Sequence, residues 1–212
     1  MTDEQLWNEY LIPGTDVLIN KFKIKTKEEL KEVEKIITRK SLAKLYLKPE
    51  EGNFDIEHFK KIHKRIFKDI YPFAGEFRKC SLQKEDHIFC MPNDINNLLK
   101  EILENMNKEF EEEIYSSTEF AFKLAKYYYD IIYIHPFREG NGRTIRTFIR
   151  DFTVEKSKGK ACGEFDLDYT KIDGANLLLG TAQRYIYPNF IEMEFMKGLV
   201  KKDINDIMRK RK

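Results

Sequence analysis

Between Ile95 and Phe110 the apolar residues Ile95, Leu98, Leu99, Ile102, Leu103, Met106 and Phe110 recur at intervals of mostly three and four. That spacing follows the turn of an α-helix and aligns the side chains on one buried face. The same pattern returns along the chain. Thr26 with Glu29 has the form of a capping box, and Leu30, Val33, Ile37, Leu42 and Leu45 extend it into a long helix ending near Leu47. Pro49 to Asn53 breaks it, and Asp55 is a good N-cap for a helix carrying Phe59, Ile62, Ile66 and Phe67. Asn93 or Asp94 is expected to cap the helix over 95–110, and Ser116 or Ser117 to start one bearing Phe120, Leu124, Tyr127, Tyr128 and Ile131. Asp173 can cap a helix through Ala175, Leu178, Leu179 and Ala182. A final helix from about Pro188 is expected to bury Phe190, Ile191, Phe195, Leu199 and Val200. The chain is mainly α.

Three stretches depart from the helical period. Met1 to Ile24 mixes aromatic residues, proline and glycine and reads as an irregular arm with a turn at Pro13-Gly14. Phe77 to Pro92 places scattered apolar residues around a polar centre, which a β-hairpin accounts for most simply. Phe165 to Tyr169 reads as an extended connection after a polar turn at 156–163.

The motif that carries chemistry is His135-Pro136-Phe137-Arg138-Glu139-Gly140-Asn141-Gly142-Arg143-Thr144-Ile145-Arg146. It follows the apolar run Tyr127 to Ile134 and precedes Ile145, Phe148 and Ile149, so it reads as helix, tight loop, helix. The first N–H groups of the second helix have no intrahelical partner and its dipole favours negative charge, which suits a di- or triphosphate. Gly140 and Gly142 would let such a ligand approach the main chain closely. His135, ordinarily titrating near neutrality, is a candidate general base. Glu139 offers one hard oxygen ligand for a Mg²⁺ that takes its other ligands from water and phosphates, or else is a carboxylate favoured by the helix dipole. Arg143 and Arg146, three apart, present forked donors to phosphate oxygens, although Arg146 could equally sit on a solvated face. Asn141 can add a donor and an acceptor, Phe137 turns inward as an anchor, and Arg138 is read as surface.

These residues match, at eight positions over the twelve, the signature of the Fic (Fido-domain) family: His, any residue, Phe, any residue, Asp or Glu, Gly, Asn, Gly, Arg, two residues, Arg. The resemblance extends to Ile70-Tyr71-Pro72-Phe73-Ala74-Gly75-Glu76-Phe77-Arg78, similar to the family's turn into its flap, and to Pro13 through Phe22, similar to its lead-in. It implies a helical bundle with a β-hairpin flap over the active-site loop: an arm and long helix over 1–53, a catalytic domain over 54–195 with the flap at about 77–92, and a helix end with a basic tail over 196–212. The implied activity is transfer of AMP from ATP to a Tyr, Thr or Ser hydroxyl of a target protein. His135 would be the base and Glu139 the Mg²⁺ ligand, with Gly140, Asn141, Gly142, Arg143 and Arg146 holding ATP. The flap, with Ile88 and Phe89 facing the substrate, would take the target as an added strand.

Many relatives carry an inhibitory helix of the form Ser or Thr, three residues, Glu, then Gly or Asn. The nearest match, Ser81 to Asp86, fails at its last position and lies in the expected flap. The expectation is therefore that a separate small antitoxin supplies the inhibitory glutamate toward Arg146. Members resembling Doc carry Lys where this chain has Gly142, and transfer phosphate; Gly142 favours AMP transfer. Transfer of another phosphate-containing group, removal of AMP, and an inactive nucleotide-binding module remain the alternatives.

Composition narrows the setting. Lys and Arg number 38 against 36 Asp and Glu, a net charge of +2, which argues against a dedicated nucleic-acid binder. Three cysteines, Cys80, Cys90 and Cys162, lack metal-type spacing and suggest a reducing compartment. His58 and His63 do not share one helix face, so they read as packing or surface residues. Without a run of about 18 apolar residues or a secretion-type leader, the expectation is a cytoplasmic protein with no membrane contact.

Overall fold

The computed structural model describes residues 1–84, 87–184, 186–187 and 189–202. The flap tip at Glu85 and Asp86, Pro188 and the basic tail at 209–212 lie outside the described residues. The chain divides into two compact units, Met1–Glu101 with Ile134–Thr147, and Ile102–Tyr133 with Phe148–Lys212.

The first unit opens on a short helix, α1 (Asp3–Asn8), where the sequence reads as irregular. Thr2 and Gln5 form a reciprocal capping box there, a Thr-x-x-Gln signal too brief to register as a period. The long helix α2 (Lys27–Leu47) ends where expected, but the Thr26 side chain makes no capping bond. Glu28 and Glu29 in the first turn supply the favourable charge at that end instead. Asp55 caps α3 (Ile56–Phe67) by accepting from the His58 N–H. Phe59, Ile62, Ile66 and Phe67 of α3 are all fully buried, each contributing about 1.5–3 kcal/mol relative to exposure. The hairpin is real but short: β1 (Gln83–Lys84) pairs antiparallel with β2 (His87–Ile88) in the register Gln83 to Ile88 and Lys84 to His87. A single 3-10 turn over Pro92–Asp94 then leads into α4 (Ile95–Glu111). Of the stripe expected on α4, Leu98 is exposed while Ile95, Leu99, Leu103, Met106 and Phe110 are buried.

In the second unit α5 (Ser117–Ile134) begins at Ser116, whose hydroxyl accepts from Glu119 N–H. Phe110 meets Phe120 and Phe152 edge-on, each with ring centres 5.0 Å apart, and Tyr128 packs on Phe195. The motif helix α6 (Asn141–Lys156), which belongs to this unit from Phe148 onward, leads to β3 (Phe165–Leu167), then α7 (Gly174–Ala182), capped by Asp173, and α8 (Phe190–Gly198). The last helix stops short of expectation. Leu199 and Val200 belong to β4 (Leu199–Lys201), antiparallel to β3 with Leu167 opposite Leu199. A short apolar run reads equally well as helix or strand, and here the distant partner β3 decides. No helix among the described residues is long and apolar enough to cross a membrane.

Candidate active site

Every motif residue from His135 to Arg146 lies in the first unit. Helix α5 ends at Ile134, and His135 turns the chain away with φ +50°, the left-handed conformation that often terminates helices but is unfavourable for a residue with a Cβ. What holds it there is Arg78, a fully buried guanidinium that donates to the carbonyls of His135 (2.9 Å), Ile134 (3.2 Å), Cys80 (2.9 Å) and Cys90. A cation at the carbonyl end of α5 also meets the negative end of its dipole. One side chain thus joins the His135 backbone to both roots of the hairpin. Over the imidazole lies Phe89, its ring centre 4.0 Å from that of His135 and inclined by 21°. Ile88, the residue before it, is 61% exposed.

The loop itself is tied from within. Asn141 is buried and spends its side-chain amide on Phe137, accepting from its N–H at 2.8 Å and donating to its carbonyl at 2.7 Å. Sequence reasoning gave that amide to the ligand; the structure gives it to the loop. Phe137 turns inward as expected, stacked on His63 with ring centres 3.7 Å apart. His63 in turn accepts from Gly75 N–H at Nδ1 (2.8 Å), and its Nε2–H donates to the Glu139 carbonyl (3.0 Å). Both ring nitrogens are used by a neutral tautomer, and burial lowers its pKa to about 4.

Gly140 has φ +83°, and a Cβ there would fall 2.2 Å from the Phe67 ring. Its missing side chain makes room for Phe67, not for a ligand. Gly142 differs: a Cβ would meet only the Arg146 guanidinium, at 3.2 Å. Arg138, read as surface, instead lies over the Trp7 ring at 3.9 Å and anchors the loop to the arm; burial lowers its pKa, and its buried Nε has no hydrogen-bond partner among the described residues.

Two charged side chains complete the picture. Glu139 is 40% exposed and its bonds all use Oε1, which accepts from Gly140 N–H (2.8 Å) and Arg143 (3.3 Å). Its other oxygen engages nothing among the described residues, so the carboxylate fits a hard cation shared with phosphate oxygens and water. No group of three His, Cys, Asp or Glu able to hold a metal gathers among the described residues. Arg143 is held by Glu34 of α2 (2.7 Å), Glu139 and Thr38, and lies over the Phe67 ring. Arg146 forms no ion pair among the described residues. A cavity of about 450 Å³ borders the loop at Glu34, Tyr71, Arg138 and Glu139 but does not reach Gly142 or Arg146, so it is separate from the start of α6.

Sequence reasoning missed Arg78, His63, Glu34 and Tyr71 as parts of this site. Arg78 stands in the stretch resembling the turn into the flap, and His63 reads from the sequence only as a packing or surface residue. Glu34 is one acid among many on a charged helix and carried no signal.

The Fic/DOC family model matches residues 53–153. Among curated relatives, the protein adenylyltransferase VbhT of Bartonella schoenbuchensis is 27% identical over 93% of this chain, which spans only 39% of VbhT. The probable protein adenylyltransferase y4lH of Sinorhizobium fredii is 32% identical over 78% of this chain and 82% of its own length. Among solved structures, the Bartonella tribocorum effector BepC with bound AMPPNP superposes with a TM-score of 0.79 at 23% identity, covering 92% of this chain and 98% of that one. The N-terminal Fic domain of a Bartonella quintana effector with bound ADP gives 0.81 at 22% identity, over 92% and 96%. With the motif in place, the hairpin over its histidine and relatives of this kind across most of its length, the chain belongs to the Fic/DOC family.

Proposed function

We propose that this chain is a protein adenylyltransferase that transfers AMP from ATP to a hydroxyl side chain of a target protein. The observation that carries the reading is His135 beside a helix N-terminus, under a hairpin, in a chain whose relatives are named protein adenylyltransferases. The ATP phosphates rest at the start of α6, where the main-chain N–H groups of Asn141 and Gly142 and the Arg146 guanidinium offer positive potential, the Gly140 N–H being taken by Glu139. Glu139 is the residue that would hold Mg²⁺, which supplies charge neutralisation for the phosphates when bound. The target hydroxyl passes its proton to His135 as its oxygen bonds to the α-phosphorus, and the bond to pyrophosphate breaks. The target segment pairs with the hairpin edge, with Ile88 and Phe89 toward it.

Two further parts of the proposal concern context. A separate small protein supplies the inhibitory glutamate toward Arg146, and the enzyme works in a cytoplasm. The test is incubation of the isolated chain with α-³²P-ATP, Mg²⁺ and a cell lysate, followed by intact-mass analysis of the labelled protein. Label should appear without any activating mutation and the added mass should be that of AMP. His135→Ala should lower the rate by at least about 10²–10³-fold with an unchanged melting temperature. Equal labelling by both forms, or a different added mass, would overturn the assignment.

A further inference from the structure

The two motif arginines do not present the same charge. Arg143 contacts the carboxylates of Glu34 at 2.7 Å and Glu139 at 3.3 Å, the Thr38 hydroxyl at 3.4 Å, and the face of Phe67. Two carboxylates against one guanidinium leave that cluster net negative, and a phosphate brought to Arg143 would face Glu34 as well. Glu34 is itself fixed, because its second oxygen accepts from the Tyr71 hydroxyl, and it is only 15% exposed. Burial and Glu34 both push the Tyr71 pKa up, so Tyr71 remains a donor throughout the usable pH range. Arg146 forms no ion pair among the described residues, and its guanidinium lies beside Gly142 at the start of α6.

We propose that Glu34 is a positioning residue: braced by Tyr71, it turns Arg143 into a tether for the Glu139 carboxylate and leaves Arg146 as the guanidinium that receives the nucleotide phosphates. The use to which the nucleotide is put rests on the adenylyltransferase reading; the division of labour between the arginines does not. A glutamate of α2, more than a hundred residues away in the chain, thereby sets which motif cation faces the ligand.

Fluorescent ATP titrated into the purified chain in EDTA separates the roles, because without a cation the Glu139 carboxylate has no metal to hold. Arg146→Gln should weaken metal-free binding by about tenfold or more and flatten its salt dependence, whereas Arg143→Gln should change it by less than about threefold. Glu34→Gln removes a negative charge and loosens Arg143, so metal-free binding should tighten by about threefold or more. With Mg²⁺ present, the same variant should lower kcat rather than raise the KM for ATP. Tyr71→Phe should move both quantities in the same directions by less. Melting curves exclude misfolded variants, and Glu34→Gln, which keeps the side chain's shape, carries the test if Arg143→Gln does not fold. Equal loss of binding in the two arginine variants, or unchanged affinity in Glu34→Gln, overturns the proposal. If the wild-type chain transfers nothing, the EDTA titrations still decide it, while the transfer assay alone tests the wider function.

Discussion

The motif loop and the hairpin above it are built to opposite standards. Between His135 and Arg143 the loop is fastened from inside the protein: Arg78 at the incoming carbonyls, Asn141 across the loop, His63 on the Glu139 carbonyl, Glu34 on Arg143. The hairpin has two residues to a strand and presents Ile88 and Met91 at 61% and 53% exposure. Among its described residues the two strands are too short for independent stability. The contrast teaches where this molecule keeps its rigidity. In the proposed reaction, the groups assigned to the nucleotide are held by packing, and the part proposed to pair with a target completes itself on pairing.

That contrast can be broken most forcefully at Gly140. Gly140→Ala adds a Cβ against the Phe67 ring at a positive φ, and should destabilise the protein by about 4 kcal/mol, whereas Gly142→Ala, facing only an arginine tip, should stay within about 1 kcal/mol. Denaturant titration of both variants checks it; equal losses would mean the loop is not packed as described.

Acid offers a somewhat smaller lever. The unfolded chain protonates His63 near 6.5 and the folded chain only near 4, so unfolding takes up a proton across that window. Stability present at neutral pH should therefore fall by about 3 kcal/mol between roughly pH 6.5 and 4. Asp151 opposes this: burial raises its pKa to about 6, so the folded state binds the extra proton between 3.8 and 6, and acidification there adds stability. Denaturation midpoints against pH should accordingly drop more steeply in Asp151→Asn than in the wild type, and a shallower drop would contradict these environments.

The smallest effect sharpens the other side of the comparison. Ile88→Ser should leave stability within about 0.5 kcal/mol, because the side chain is already in water. It should raise the KM for the protein target and leave that for ATP unchanged. A fall in melting temperature would show the hairpin to be packed more firmly than its exposure indicates.

Much of this was legible in the chain. The stripes on α3 and α5 identify their helices because period and burial agree, and Asp55, Ser116 and Asp173 cap as their side chains suggest. Leu199 and Val200 were not, since their strand exists only through pairing with β3. In the site, the motif positions can be read directly because they are contiguous. Their supports cannot: Glu34, His63, Tyr71 and Arg78 reach the loop from helices and turns far along the chain, and nothing local distinguishes Glu34 from the other acids of α2. The same limit explains Arg138, whose partner Trp7 lies in the arm; Asn141 differs, because Phe137 is only four residues away and the bend of the loop turns its amide inward.

The two glycines of the motif leave very different room for redesign. Position 140 is closed by an aromatic ring, so any new reaction must be built around it unchanged. Position 142 opens onto a movable side chain at the mouth of α6. A laboratory seeking to alter what this scaffold transfers should begin there, where a foreign side chain can be accommodated without rebuilding the frame beneath.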